Sequence, residues 1–327
     1  MATGKKTKEA ESGTQKSAVI TAKVPLKEEN HFSYFVSEFR KISDDIKKEN
    51  FIKVRELVSK RLETVLQKSG LNKTHKILFL IQDDAYDISR NTLDSIYAAI
   101  KGTEKEKDTL LILNSPGGYI GPAYFISKCC KEYSNLFCVA IPRRAKSAAT
   151  LISLGADQIH MGSITELGPI DPQIRKLPAL ALGDAVDFIA SISEKHPQSA
   201  EMFARFLSRE LDLQHLGHTR RIADSAADYA KRLLGLKKLP KSAEHIGQHL
   251  VNGYKDHGFV IDKEEATQIL GGSIVKSNTS EYELANLIYE LVEDIKLALW
   301  VITRNSYSVN FVGDINGFWV KKEEDSE

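Results

Sequence analysis

Two short stretches carry residue types suited to attack on a carbonyl. The run Asp108-Thr-Leu-Leu-Ile-Leu-Asn-Ser-Pro116 leads into Gly117-Gly118, and the apolar run at 136–141 leads to Ser147. Acyl chemistry requires a nucleophile, together with hydrogen-bond donors where negative charge grows on the carbonyl oxygen. Ser147 supplies the hydroxyl. Gly117 and Gly118 have no Cβ, so their backbone can turn tightly and bring its amides close to a substrate. The Ala148 amide follows Ser147 and is the matching donor; in the first turn of a helix it also faces the positive end of the helix dipole. Taken singly, each stretch has a plain structural use, because Asn-Ser-Pro-Gly-Gly makes a turn and a serine caps a helix. Their joint occurrence, each behind an apolar strand, points to an oxyanion-stabilising site.

Such a site has to be positioned by a sheet. Lys76-Ile-Leu-Phe-Leu-Ile81 reads as a strand, followed by an acidic loop at Asp83, Asp84 and Asp87 and a helix near 91–100. Further strands follow at 110–114, 136–141 and 158–161, with helical stretches past Gly121 and from Ser147 to Gly155. This strand–helix rhythm predicts a parallel sheet covered on both sides. Upstream, Phe32, Phe35, Phe39 and Ile42 recur at helical spacing, Asn50 marks a break, and a second helix carries Val54, Leu57, Leu62 and Val65. That region, 25–72, reads as a helical arm or an oligomer contact, with a plain packing face as the alternative. Downstream the pattern is mainly helical, at 184–193, 200–211, 222–236, 243–253 and 281–299, with a linker at 236–242 and an N-cap at Asp262. The last segment, 306–320, alternates and suggests a hairpin around Asp314-Ile-Asn-Gly317. The expected organisation is a lead-in at 1–24, the arm, an α/β domain at 73–275, and a C-terminal helix and hairpin at 276–327.

Composition narrows the partners. With 45 Lys+Arg against 44 Asp+Glu in 327 residues, the formal charge of +1 gives no hint of a polyanionic partner, so nucleic acid is not an expected partner, a local basic patch aside. Residues 1–24 hold five Lys and two Glu and lack the apolar core of a signal peptide, which suggests a disordered basic lead-in. No uninterrupted apolar stretch reaches the length of a membrane span, and a cytoplasmic setting is expected. Cys129, Cys130 and Cys138 match neither a zinc site nor a disulfide framework and read as small buried side chains in a reducing interior. His215 and His218 have no Cys or carboxylate partners at ligand spacing, so no metal and no cofactor is expected.

Several longer stretches resemble the serine dehydrogenase proteinase family of the ClpP/crotonase superfamily. They are Leu113-Asn-Ser-Pro-Gly-Gly118, Ala145-Lys-Ser-Ala-Ala-Thr150, Leu154-Gly-Ala-Asp157, Leu167-Gly-Pro-Ile-Asp-Pro-Gln173 and Asp256-His-Gly-Phe-Val-Ile-Asp-Lys-Glu-Glu-Ala266. The resemblance covers about 75–272 and implies a ClpP/crotonase-like spiral α/β fold, here with added N- and C-terminal helical regions. It further implies a serine peptidase with Ser147 as nucleophile and an oxyanion hole from Gly117, Gly118 and Ala148, acting on a peptide or protein as a homo-oligomer. Many family members carry an N-terminal membrane anchor; this chain reads as a soluble branch.

The general base is the open position. Serine needs a His or Lys to take its proton. ClpP-type enzymes carry a His after the nucleophile helix, whereas the 167–173 stretch here has none. His160 precedes that stretch and is a candidate base, with a core-facing position in its short strand pattern as the alternative. Signal-peptide-peptidase relatives use a later Lys, for which Lys176 and Lys195 are the candidates by order. Lys146 adjoins Ser147, but adjacent side chains diverge at a strand-to-helix turn. His257 lies in a family-like segment and can enter from a distant loop. Asp171 can orient a His or Lys, or merely stiffen a Pro-Ile-Asp-Pro turn. Two other readings share the fold: a crotonase-like acyl-CoA enzyme that needs no nucleophilic serine, and a non-catalytic self-assembling scaffold.

Overall fold

Alternation along the central strands decides the layering. The computed structural model of the chain describes residues 30–102, 107–174, 177–235 and 237–323; the expected lead-in at 1–24 and Lys176 lie outside the described residues. The chain begins with helices α1 (His31–Lys41), α2 (Ser43–Lys47) and α3 (Ile52–Ser69). It continues through β1 (His75–Gln82), α4 (Arg90–Ile100), β2 (Asp108–Asn114), α5 (Ile120–Glu132), β3 (Phe137–Ile141), β4 (Arg144–Ala145), α6 (Ala148–Gly155) and β5 (Gln158–Met161). After the short strands β6 (Glu166–Leu167), β7 (Gln173–Ile174) and β8 (Leu177–Pro178) come helices α7 (Ala181–Lys195), α8 (Ala200–Glu210), α9 (Leu213–Leu234), α10 (Ala243–Asn252) and α11 (Lys263–Leu270). The last elements are β9 (Val275–Lys276), α12 (Ser280–Thr303), β10 (Tyr307–Gly313) and β11 (Phe318–Lys322).

Seven strands form one sheet in the order β11-β10-β1-β2-β3-β5-β9. From β1 to β9 the neighbours run parallel, and the β10–β11 hairpin adds an antiparallel edge beside β1. Because successive side chains leave opposite faces, Leu78, Leu80, Leu111, Leu113, Val139, Ile141, Ile159 and Met161 pack on one face with α4, α5, α6, α9 and α10. Ile77, Phe79, Ile81, Leu110, Ile112, Cys138 and Ala140 pack on the other, with α1, α3 and α12. The result is a three-layer α/β fold consistent with the ClpP-like class.

In the described part of the 25–72 region, Phe35, Phe39, Val54, Val58 and Leu62 are fully buried in the same cluster as α12 and the sheet, which is a packing face. Equally, the C-terminal part is integral: Phe311 stacks on Phe79 at 4.2 Å, and β10 pairs with β1. The N-terminal helices therefore share one cover of the sheet with α12. The hairpin does turn at Asp314–Gly317, where the Gly317 amide donates to Asp314 O at 3.0 Å.

Candidate active site

The carboxyl ends of parallel strands collect the loops that follow them, and this is where open α/β sheets place their sites. Here the loops after β2 and β3 are stitched together. The Ser115 amide donates to Arg144 O at 3.0 Å, and the Lys146 amide donates to Ser115 O at 3.1 Å. Asn114 Oδ1 accepts from the Arg144 amide at 3.1 Å. Ser115, fully buried, accepts the Gly117 amide on its Oγ at 3.2 Å and donates to Gln82 Oε1 at 3.1 Å. This buried network fixes the glycine turn against the turn that carries Ser147.

The approach is close enough that only glycine fits. A Cβ on Gly117 would lie 2.9 Å from Ser147 Cβ and 3.3 Å from Ala148 N, and the backbone there has φ +116°. Gly118, at φ +144°, would drive a Cβ to 2.4 Å from Ile88 N. Its neighbours use the Ile88 side: the Ile88 amide donates to Gly117 O and the Tyr119 amide donates to Ile88 O, both at 2.8 Å. Backbone groups alternate in direction along an extended chain. The exposed Gly118 amide thus faces away from Ile88, and no acceptor for it occurs among the described residues. Ala148 is the first residue of the wholly buried helix α6, so its amide precedes the intrahelical ladder.

Ser147 has φ 50° and ψ −117°, a conformation that costs a non-glycine residue free energy. Its side chain does not cap α6. The hydroxyl is half-buried and makes no hydrogen bond among the described residues.

A second wall comes from the turn after β6. Thr150 Oγ1 lies 2.6 Å from Ala145 O and 2.9 Å from Gly168 O, and accepts the Gly168 amide at 3.1 Å. The turn then presents Asp171, which is 9% exposed. Its Oδ1 meets His257 Nδ1 at 2.7 Å, and its Oδ2 accepts Gln173 Nε2 at 2.8 Å. His257 arrives on the loop between α10 and α11. That loop lies along the turn because Leu167 and Ile261 exchange backbone hydrogen bonds of 2.9 and 3.1 Å. An ionised carboxylate only accepts, so this contact keeps the imidazole proton on Nδ1 and leaves the Nε2 lone pair available.

The remaining candidates are distributed elsewhere. His160 is corrected out of the site: it points to the α12 face of the sheet, 2% exposed, with Nδ1 2.9 Å from Thr279 Oγ1, while α6 lies on the opposite face. Burial, only partly opposed by Glu281, lowers its pKa to about 4. Lys195 is the exposed last residue of α7, a helix that packs against α8 and α9. Lys146 diverges from Ser147 as expected, its ammonium 3.1 Å from Glu166 Oε2. Cys130 and Cys138 are buried, and burial pushes both thiols up, Cys138 to about 12, so neither is a poised nucleophile. Asp83 pairs with Lys296 and Asp84 with Arg144. Among the described residues no group of three or more His, Cys, Asp and Glu is arranged to hold a metal ion. Sequence reasoning missed the contact between His257 and Asp171; its one signal is that both fall within family-like segments.

Comparison with known proteins places the chain in a family. The family described as ClpP-like SDH-type serine proteinase matches residues 32–300. An uncharacterized protein of Methanocaldococcus jannaschii is 28% identical over 246 residues, which is 73% of this chain and 76% of that protein. A second uncharacterized protein of the same organism is 26% identical over 200 residues, 61% of each chain.

Proposed function

We propose, from the premise that this chain belongs to the ClpP-like SDH-type serine proteinase family, that it hydrolyses peptide bonds with Ser147 as nucleophile and His257 as general base. Asp171 is the orienting carboxylate, and the Gly118 and Ala148 amides, with the turn held open by Gly117, form the oxyanion hole. One observation carries the reading. Ser147 holds a costly positive φ yet spends its hydroxyl on no cap, on a turn packed against the Gly117 turn, while buried Asp171 meets a half-buried His257 on the neighbouring turn.

In this mechanism His257 Nε2 takes the Ser147 hydroxyl proton as Oγ bonds to the scissile carbonyl carbon. The developing oxyanion is met by the two amides, and the imidazolium is stabilised by Asp171. His257 then gives its proton to the leaving amine as the C–N bond breaks. Water attacks the acyl-enzyme, its proton passes to His257, and that proton returns to Ser147 as the acid leaves. Lys195 has no step here.

Self-association and a cytoplasmic setting belong to the same reading; among the described residues no helix is long and apolar enough to cross a membrane. The test is covalent labelling by a serine-directed phosphonate, followed by peptide mapping. We expect adduct on Ser147, none on the same peptide in Ser147→Ala, and labelling slowed in His257→Ala by about two orders of magnitude or more. Full peptide turnover by Ser147→Ala would overturn the assignment. Turnover of a CoA thioester insensitive to that substitution would favour the crotonase-like reading instead.

A further inference from the structure

Lys146 is the residue just before Ser147, and its side chain leaves in another direction. It is not idle there. The ammonium lies 3.1 Å from Phe259 O, 3.4 Å from Gly258 O and 3.1 Å from Glu166 Oε2, with the side chain 14% exposed. An ammonium has three donors, and here three acceptors meet it. Two of them are consecutive carbonyls immediately after His257; the third stands on β6, the strand that opens the Asp171 turn. Other ties flank these two carbonyls: His257 meets Asp171 before them and Ile261 pairs with Leu167 after them. The Phe259 amide closes a turn onto Asp256 O at 3.1 Å, and its ring packs on Tyr254 at 4.8 Å. Gly258, Phe259 and Val260 are otherwise exposed.

We infer that Lys146 is a positioning residue, whose ammonium fastens the His257 loop to the Ser147 turn and so sets the separation of nucleophile and base. The inference rests on the Ser147–His257 reading of the site. One residue carries both ends of the link: its backbone leads directly into the Ser147 elbow, and its Nζ holds the two carbonyls that follow the imidazole. Removing the cation strips both carbonyls of their charged donor and frees the loop, while the glycine turn and α6 keep their own bonds. Losses of alignment of this kind act on the chemical step more than on substrate binding. Gly168 gives an independent handle, because a Cβ at that position would approach Lys146 Cδ to 2.6 Å and displace the stem without touching its charge.

The experiment compares Lys146→Met, Lys146→Arg and Gly168→Ala in the full chain. It measures phosphonate labelling of Ser147, kcat and KM on a peptide substrate, and amide exchange. In Lys146→Met, labelling rate and kcat should fall between about 10- and 100-fold with KM within about twofold. Exchange at 256–260 should rise while exchange in α6 stays unchanged. Lys146→Arg should restore part of the rate, and Gly168→Ala should shift every readout in the direction of Lys146→Met. If Lys146→Met fails to fold, the other two variants decide the matter. A wild-type labelling rate and unchanged loop exchange in Lys146→Met would overturn the inference. So would an inactive Lys146→Arg with a protected loop, which would make the lysine a proton carrier. Active Ser147→Ala would defeat the reading of the site itself; silent Ser147→Ala and His257→Ala beside a fully active Lys146→Met would defeat the clamp alone.

Discussion

At the scale of single residues, the site separates into parts with local and non-local causes. Gly117, Gly118, Ser147 and Ala148 are legible in the chain because each role follows from its immediate neighbours: a strand end, a residue without Cβ, the first turn of a helix. Their convergence follows from β2 and β3 being adjacent parallel strands. The proposed base was not legible in the same way. His257 and Asp171 stand 86 positions apart on irregular segments, where no periodicity reports a side-chain contact. His160 shows the converse, since a histidine in order after the nucleophile is carried by strand alternation to the far face. The Asp171 contact makes a specific prediction. Asp171→Asn keeps size and packing, but its amide can donate to Nδ1 and so favour the tautomer whose Nε2 carries the proton. We expect kcat to fall by about two to four orders of magnitude with KM little changed. Partial recovery is expected at high pH, where a small fraction of deprotonated hydroxyl suffices. Wild-type kinetics in a folded Asp171→Asn would leave the carboxylate with only the turn to stiffen.

Elements were legible where apolar spacing is strong and indistinct where tertiary contacts overrule it. The parallel strands, the Asp262 cap and the terminal hairpin follow from alternation, cap chemistry and turn residues, and the Asp262 side chain accepts the Glu265 amide at 2.8 Å. Helix α9 begins at Leu213, well before the apolar stripe suggests, because Asp212 caps it by accepting from the Gln214 and His215 amides. The two-residue strand β9 carries too little pattern to be seen, yet it completes the parallel edge beside β5. That edge holds a pH-sensitive joint. His160 touches Thr279, whose side chain caps α12. Glu281 stands 3.7 Å away, and His75 and Lys276 add positive charge nearby. Burial brings the His160 pKa to about 4, against 6.5 for an ordinary histidine. Between those values the unfolded chain binds a proton that the folded chain refuses, so stability is full above pH 6.5 and declines as pH falls toward 4. The limit is on the order of 3 kcal/mol. His160→Gln keeps a polar contact to Thr279 and does not titrate. Urea unfolding at pH 7.0 and 4.5 should show a smaller loss for the variant than for the wild type; equal losses would assign the acid sensitivity to other groups.

At the scale of the whole molecule, α7 and α8 stand uncovered among the described residues. Neither α7 nor α8 contains a buried residue, and Phe188, Met202 and Phe206 are 65%, 60% and 58% exposed. Short helices in water owe most of their stability to a packed apolar face, so two consecutive helices with none buried call for a cover. The outward side of α8 presents Glu201, Met202, Arg205, Phe206, Arg209 and Glu210 along one shallow groove. Two copies of this helix laid antiparallel about a two-fold axis near Arg205 would bring Arg209 of each beside Glu201 of the other, with Met202 and Phe206 covered on either side of the axis. Opposite charges then meet at the rim, and the two Arg205 side chains at the axis are each paired with Glu201 of their own helix at 2.6 Å. On the self-association proposed above, a second copy of this chain would cover this face. Mass measured by light scattering across a dilution series should drop to the monomer for Phe206→Glu. Glu201→Arg and Arg209→Glu should each weaken association by about tenfold, and the double reversal should recover most of it, since the pair is then restored with exchanged signs. A protein that stays associated in all of these variants is held together through another surface. A wild-type chain that is monomeric at every concentration would instead mean that the site must work, if it works at all, within one copy.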